Sequence, residues 1–408
     1  ASETKASIEQ GASVNGKDVK VVAEKDDNWY SVLFSFANSK KSVSFGIGSL
    51  FLFDTVEAYI KGNVVASGDV ILNALYDKLF LNVAANIGVA KNTQDEGDDV
   101  FDLDDLAIED VQNDNDSIAP VVLNFINGLG DDDIDLDETI DLGGDADDII
   151  GQVQNAGGGN IGRVDKNTYA GAGALLLNVA NNGVKAYISD NAKVKAGQDI
   201  KVSANSIDQN MEVGAIGAFN GNTGGGATVG FNLNMNDVQS YIDNSTVDAK
   251  RNTEVTADED STLYSFSAGI VQAKDKSGVG VLSLDVQKND VTAAIKNNTK
   301  VNTSEGYNVE NQSVKVDAEF DNYLVKGVGA VAIAKYDKAG GAAVNTEAAK
   351  SAINAYIKDS DVNVSKELTV SADEATKIVD VTAAGAVSKY DSAYSGSIGL
   401  YVATGDVN

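Results

Sequence analysis

A block of about 53 residues recurs along this 408-residue chain, and this repeat constrains the fold more than any other feature. Each copy begins with a turn followed by a segment close to Val-x-x-Tyr-Ile, most clearly at residues 184–188 and 238–242. The isoleucine that closes this segment recurs at Ile8, Ile60, Ile188, Ile242, Ile295 and Ile357. The steps between these positions are 52, 128, 54, 53 and 62 residues. A fixed period of this size is typical of stacked repeat architectures, in which each unit buries its apolar face against its neighbours.

Within a unit the apolar residues recur with a period of two. Residues 200–204 (IKVSA) and 314–318 (VKVDA) alternate apolar and polar side chains, which predicts strands with one buried face. Runs of Ala and Gly permit close backbone stacking, and the single proline agrees with a chain rich in strands. The pattern therefore predicts an all-β protein, a parallel β-helix (solenoid) of about six repeats.

The coil arrangement within one unit is a second expectation. Each unit offers about five short strands, which we interpret as two unequal coils. Six such units would form a rod on the order of 60 Å long at about 4.8 Å per strand. A β-prism and stacked hairpin sheets remain open as alternatives to the β-helix.

The long step of 128 residues contains an acidic insertion. Between Asp95 and Asp148 there are 21 acidic residues and no Lys or Arg. The formal net charge of the whole chain is −30, and the remaining residues hold 40 acids against 31 bases. This asymmetry predicts three parts: the first solenoid repeats over residues 1–92, an insertion over 93–163 and further repeats over 164–408.

The insertion has an apolar stripe that suggests a small helical hairpin, and a partly disordered segment remains open as the alternative. Ser117 is a suitable N-cap, Pro120 fits a first helical turn, and Gly128 or Gly130 would end the helix. The stripe consists of Ile118, Val121, Val122, Phe125, Ile126 and Leu129. Two interpretations remain open for it: a partner-binding helix framed by charge, or a helix that packs against the hairpin or the rod.

A dense run of carboxylates follows that stripe and suggests calcium. Ca²⁺ takes six to eight oxygen ligands, so closely spaced acids are candidate ligands. The candidate ligands are Asp131, Asp132, Asp133, Asp135, Asp137 and Glu138. Neither the EF-hand spacing nor the glycine-rich calcium nonapeptide is present. A Ca²⁺ site and a solvated acidic surface therefore both remain open.

Composition excludes several kinds of chemistry. The chain has no His and no Cys, so it has no Ser-His-Asp or Cys-His nucleophile system and no thiolate metal site. Its acidity argues against binding to nucleic acid or to anionic membranes. No apolar run reaches the roughly 18 residues of a membrane-spanning helix, and the polar first ten residues predict that the numbering begins inside a longer precursor.

One repeated aromatic position raises a further question. Tyrosines at positions 59, 187, 241 and 356 recur at the solenoid spacing. They predict either an exposed stacking surface for sugars or an aligned packing ladder, and both interpretations remain open.

The repeat resembles that of a known group of proteins. Residues 172–206 (AGALLLNVANNGVKAYISDNAKVKAGQDIKVSANS) give the best window, with the pattern AxIxxSxVxAGxDIxVxAxS and an L-N-V-A-x-N turn. This resembles the repeats of very large bacterial filamentous adhesins of the fusobacterial leukotoxin type, related in style to filamentous haemagglutinin. The resemblance covers the repeats and omits the acidic insertion. It implies a secreted or surface-exposed segment from a Gram-negative bacterium, used in adhesion and in toxicity towards host leukocytes, and it transfers no functional residue.

Two functions from different classes follow. The first is a non-catalytic adhesin or toxin segment, anchored at the outer membrane or secreted, that presents binding surfaces to a protein or glycan receptor on host or bacterial cells. The second is a carbohydrate-active β-helix enzyme of the polysaccharide lyase or glycosidase kind. The regular repeat favours the first, because an enzyme would interrupt it with a cleft of convergent polar groups. We therefore expect no enzymatic activity, no direct membrane insertion by this segment and no cofactor except, if the acidic run binds it, Ca²⁺.

Overall fold

Long runs of alternating side chains produce unusually long strands in the computed structural model, which describes residues 2–90, 168–307 and 309–408. These residues form strands joined by turns, with no helix among them. The strands are β1 (Ser2–Ile8), β2 (Ser13–Gly16), β3 (Val19–Ser39), β4 (Lys41–Ile60), β5 (Asn63–Ala66), β6 (Val70–Ala90), β7 (Tyr169–Ile188), β8 (Lys193–Ala196), β9 (Ile200–Asp243), β10 (Thr246–Ala249), β11 (Asn252–Lys296), β12 (Lys300–Val301), β13 (Ser313–Ala334), β14 (Ala339–Lys358), β15 (Asp361–Val362), β16 (Glu367–Ser388) and β17 (Ala393–Val407).

The strands form a flattened parallel β-solenoid. One long side, face A, consists of β3, β6, residues 200–219 of β9, residues 252–273 of β11, β13 and β16. The opposite side, face B, consists of β1, β4, β7, residues 223–243 of β9, residues 277–296 of β11, β14 and β17. At the turn edge the chain passes from face A to face B, and β9 and β11 do so without a break. At the short edge, β2, β5, β8, β10, β12 and β15 form a separate narrow sheet.

The parallel β-helix predicted from the repeat is confirmed, and the coil arrangement within a unit is corrected. Ile60 pairs in register with Ile188, Ile188 with Ile242, and Ile242 with Ile295. A step of one sequence unit is therefore a step of one strand, so that each unit is a single coil and not two. The six strands of the short-edge sheet span roughly 24 Å at about 4.8 Å per step, less than half the expected rod length.

The reason for this correction is the position of the polar residues. Asn, Asp and Gly are typical turn residues, and the expectation of about five short strands per unit depends on placing turns at them. Many of them lie inside the long strands instead; Asn182 and Asn236, for example, are buried within face B. True turns occur mainly at the two edges, as at Asn244 and Asn297, which adopt positive φ angles of 44° and 55° between face B and the short edge.

Candidate functional site

Both sites predicted in the insertion lie outside the described residues. The carboxylate run at residues 131–138 and the apolar stripe at residues 118–129 both fall between positions 91 and 167. The calcium and partner-helix predictions therefore stay predictions. Among the residues that the structure describes, no group of three or more acidic side chains is arranged to hold a metal ion.

The structure does show where the insertion leaves the solenoid. Face A ends at Ala90 in the second coil, and face B resumes at Tyr169. In the first coil the same crossing is made by Lys40 alone, between Ser39 and Lys41. The insertion therefore replaces one tight turn at the turn edge, and β7 still pairs directly with β4.

The interior near the short edge is an apolar core. Its central column is the repeated isoleucine, and Ile60, Ile188, Ile242 and Ile295 are all fully buried. Columns of Val and Ala from face A and from the short strands pack against it. This region resembles the core of an ordinary globular domain, and we call it the short-edge core.

The middle of the interior is polar, which the sequence did not predict. Lys78 of β6 is fully buried, and its Nζ lies 2.8 Å from Oδ1 of Asp208 on β9, an ion pair without the angles of a hydrogen bond. Asn236 donates from Nδ2 to Oδ2 of Asp208 at 3.1 Å and to Oε1 of Glu259 at 2.6 Å. The amide thus joins two buried carboxyl groups beside one lysine.

A second buried cluster lies further along the solenoid. Lys326 of β13 and Asp285 of β11 form an ion pair across the interior, and both side chains are at most 2% exposed. Oε2 of Glu347, on β14, lies 3.5 Å from Nζ of Lys326. We call these two groups and their neighbouring amides, including Asn82, Asn178 and Asn322, the buried polar belt.

Burial gives the acids of this belt unusual titration behaviour. Loss of solvation raises the pKa of Glu259 to about 8, and the Asn236 amide and Lys78 only partly oppose this. Loss of solvation followed by the charge of Asp285 raises the pKa of Glu212 to about 8. Burial also raises the pKa of Glu347 to about 7, with Lys326 opposing it. Each of these groups therefore holds a proton to a higher pH than an exposed glutamate.

The outer surface of face B is apolar over the polar belt. Three neighbouring register columns point outward there, and we call them the face B stripe. They consist of Ile47, Leu175, Val229, Leu282, Val344 and Ile398; Ser49, Leu177, Phe231, Leu284, Thr346 and Leu400; and Phe51, Val179, Leu233, Val286, Ala348 and Val402. The stripe runs through all six face B strands from β4 to β17, and Val286 of β11, which has a paired strand on each side, is 36% exposed.

Face A also places apolar residues on its outer surface, but less regularly. Tyr30, Val32, Phe34 and Phe36 of β3 are all more than 40% exposed. Their columns continue through Met211, Phe266 and Val325 but are interrupted by Gly and Ala at other coils. Towards the short edge, the same face turns acidic, and burial together with Asp260 and Glu319 raises the pKa of Asp258 to about 6.

The predicted tyrosine ladder exists for three of its four members. The ring centroids of Tyr59 and Tyr187 are 5.0 Å apart, and those of Tyr187 and Tyr241 are 4.9 Å apart, with nearly parallel planes. Ala294 occupies the next position of the column and separates Tyr356 from the stack. Tyr59 is only 3% exposed, and its hydroxyl donates to Glu9 at 2.6 Å. The packing-ladder interpretation therefore describes these side chains better than an open sugar platform.

A shallow depression lies at the first coils of the solenoid. It has a volume of about 660 Å³ and is lined mainly by polar side chains, among them Glu3, Asp54, Glu57 and Lys185. Asp54 is already occupied, because it accepts hydrogen bonds from Ser2 and Tyr76 and pairs with Lys25 at 3.0 Å. These contacts lower its pKa despite its burial, so the group is an unsuitable general acid at neutral pH.

Comparisons with known proteins identify no relative. No family model, no curated protein and no solved structure matches the chain. In the described part of the chain there is no helix that is long and apolar enough to cross a membrane.

Proposed function

We propose that this chain is a non-catalytic segment of a secreted or cell-surface filamentous adhesin of a Gram-negative bacterium. In this proposal the solenoid is a stiff scaffold and the face B stripe is the surface that binds a receptor on host or bacterial cells. The resemblance of the repeats to filamentous adhesins supports the localisation. The observation that carries the binding role is the in-register apolar stripe on the outer surface.

The stripe fits a binding role because of its extent and its position. Monomeric proteins rarely expose contiguous apolar patches beyond a few hundred Å², and larger ones mark interaction sites. The columns of Leu177 and Leu175 are flanked by others of the same character, so the apolar area is continuous along the solenoid axis. Side chains such as Phe231 and Leu233 point away from the interior, so the interior core does not require their apolar character.

The parallel strands also make this surface rigid. Every stripe residue belongs to a long strand that is hydrogen-bonded on one or both sides, so a partner would meet a preformed surface. Preorganised surfaces lose little conformational entropy on binding, which favours affinity. The partner class that fits is a protein or glycan receptor with an apolar surface, and neither nucleic acid nor a membrane interior is required.

The test replaces one column of the stripe with threonine. The variant is Leu177→Thr, Phe231→Thr and Leu284→Thr together, a change that the column accommodates because Thr346 already occupies its next position. Binding of the labelled protein to epithelial cells, leukocytes and Gram-negative bacterial cells is measured by flow cytometry. We expect at least a tenfold loss of binding to the cell type that the unmodified protein binds.

The matched control uses the same substitution on the polar half of the same face. Lys185→Thr, Gln239→Thr and Asn354→Thr lie in one outward column that contains Thr292 in the native protein. This control also introduces three threonines into face B, but it leaves the stripe unchanged. Equal binding by the stripe variant, the control and the unmodified protein would refute the role of the stripe.

A further inference from the structure

The buried cluster around Lys326 has the composition of a reactive site. An amine and a carboxyl group, Lys326 and Asp285, are in direct contact, and a second carboxyl group, Glu347, lies 3.5 Å from the amine nitrogen. None of the three side chains is more than 2% exposed. The three groups come from β13, β11 and β14, so the cluster joins face A to face B.

The surroundings position the amine and carboxyl groups for one another. Nζ of Lys326 donates to the backbone carbonyl of Thr346 at 3.2 Å, and Ser283 donates from Oγ to Oδ2 of Asp285 at 3.2 Å. Both oxygens of Glu347 lack a hydrogen-bond partner, although they are buried. A buried carboxyl group whose oxygens make no hydrogen bond, and whose charged neighbour is the Lys326 amine at 3.5 Å, is costly for folding alone and is placed to exchange a proton with that amine.

Water exclusion favours neutral groups in this cluster. Two carboxyl groups face one lysine, so at least one negative charge would be unbalanced if all three were ionised. Glu212 and Asp380 lie near enough to add to the negative field at Asp285 and its neighbours. Transfer of the lysine proton to a carboxylate removes charge from a site where charge is expensive, and it leaves a nucleophilic amine beside a protonated carboxyl group.

We propose that Lys326 and Asp285 form an intramolecular amide (isopeptide) bond, with Glu347 as the proton carrier. The lone pair of Nζ attacks Cγ of the protonated Asp285 carboxyl group, and a C–N bond forms. Glu347 takes a proton from the nitrogen and delivers it to the departing hydroxyl group, so that the C–O bond breaks and one water molecule leaves. No oxidant, reductant or co-reactant is needed, and Glu347 ends in its starting protonation state.

Such a bond would tie the two faces together in the middle of the solenoid. Apolar clusters hold both edges of the coils, the short-edge core at one and residues such as Ile216 and Val271 at the other, whereas the polar belt offers little apolar burial to hold the centre. A covalent link between β11 and β13 supplies cohesion there without apolar packing. This inference concerns the scaffold and does not depend on the binding role proposed for its outer surface.

The experiment is mass spectrometry of the purified full chain. The intact mass is expected to lie below the sequence mass by one water molecule, and a protease digest is expected to contain a branched peptide joining the segments around residues 285 and 326. An intact mass equal to the sequence mass, with no branched peptide, would overturn the proposal. This measurement needs no variant and is therefore independent of any folding defect.

Variants locate the link and its proton carrier. Lys326→Arg is expected to restore the full sequence mass. Glu347→Gln, which keeps the size of the side chain, is expected to fold with an unchanged circular dichroism spectrum and to remain unlinked. Lys78→Arg is the matched control, because Lys78 is an equally buried lysine paired with an aspartate, and it should retain the mass deficit. A deficit that disappears in Lys78→Arg and persists in Lys326→Arg would refute this assignment, and undiminished linking in Glu347→Gln would refute the role of Glu347.

Discussion

The edges and the middle of each coil use opposite sides of their strands for apolar side chains, because a second buried apolar cluster, which includes Leu176, Ile216 and Val271, lies towards the turn edge. Near the short edge the apolar residues point inward, as in the buried column of Ile188, Ile242 and Ile295. In the middle of the coils the interior holds Lys78, Asp208 and their partners, while the leucines and phenylalanines of the face B stripe point outward. Along one continuous strand, the apolar side chains therefore face the interior in one part and the solvent in another. The difference separates the part of the molecule that explains folding from the part that requires another explanation.

The largest expected effect comes from breaking an ion pair in the polar belt. Lys78→Met removes the buried cation and leaves Asp208 uncompensated beside Glu259. Removing one partner of a buried pair costs about 3–5 kcal/mol, because the remaining charge has no solvent. Urea denaturation of the variant and the unmodified protein measures this loss. A loss below about 1 kcal/mol would show that the pair of Lys78 and Asp208 does not stabilise the folded chain.

Truncation of apolar side chains compares the short-edge core directly with the face B stripe. Ile295→Ala empties part of the short-edge core and should cost about 2–5 kcal/mol, since the cavity cannot collapse fully. Leu284→Ala removes an outward side chain of the same strand, where cross-strand contacts contribute about 1 kcal/mol or less. The same denaturation measurement applies to both. Equal losses would show that the outer stripe contributes to the fold as much as the core does, and would weaken its assignment to binding.

The sequence predicts the apolar residues that face the interior better than the apolar residues that face outward. The isoleucine spacing predicted a column that the register reproduces from Ile60 to Ile295. Alternation alone does not state which set of residues faces the interior, because a period of two only says which residues share a face. In β11, Ser265 is buried and Phe266 points outward, opposite to the usual expectation.

The polar belt could not be predicted for a related reason. Its members lie far apart in sequence, and only stacking of the coils brings Lys326 to Asp285, or Lys78 to Asp208. Each lysine in isolation is indistinguishable from an exposed strand residue. A signal does exist in the strands themselves: each lysine belongs to the alternating set that begins with apolar residues, Val70 to Ala74 in β6 and Val314 to Ala318 in β13, and that set faces the interior.

The pH dependence of stability should report the belt and not the core. The pKa of Glu259 is about 8 in the folded chain, above the usual 4.5, so the folded state binds the proton more tightly than the unfolded state. Its contribution is therefore fully present below pH 4.5, declines as the pH rises towards 8 and is flat above that value. We expect a lower melting temperature at pH 8 than at pH 5, with a smaller difference in Glu259→Gln.

The control for this prediction is an exposed acid. Glu305→Gln removes a carboxylate from an exposed loop and should leave the difference between pH 5 and pH 8 unchanged. Glu212 and Glu347, whose pKa values burial raises to about 8 and about 7, add to the same trend, so Glu259→Gln should reduce it without abolishing it. A melting temperature that rises from pH 5 to pH 8 would contradict the proposed protonation of the belt.

The smallest effect is expected where the chain departs from the solenoid altogether. Deletion of residues 95–148 shortens the connection between Ala90 and Tyr169 without removing any residue of the paired strands. Loop-closure entropy changes by only about 0.6 kcal/mol for each halving of a connection, so the unfolding free energy should change by about 1 kcal/mol or less.

Thermal denaturation with and without Ca²⁺ measures this change in stability and also separates the two interpretations of the acidic run. A calcium-dependent rise in melting temperature that is lost on deletion would select the metal site, whereas no response in either protein would select a solvated surface. Failure of the deletion variant to fold would show that the inserted residues stabilise the coils, and the stability of the solenoid could then not be explained by the paired strands alone.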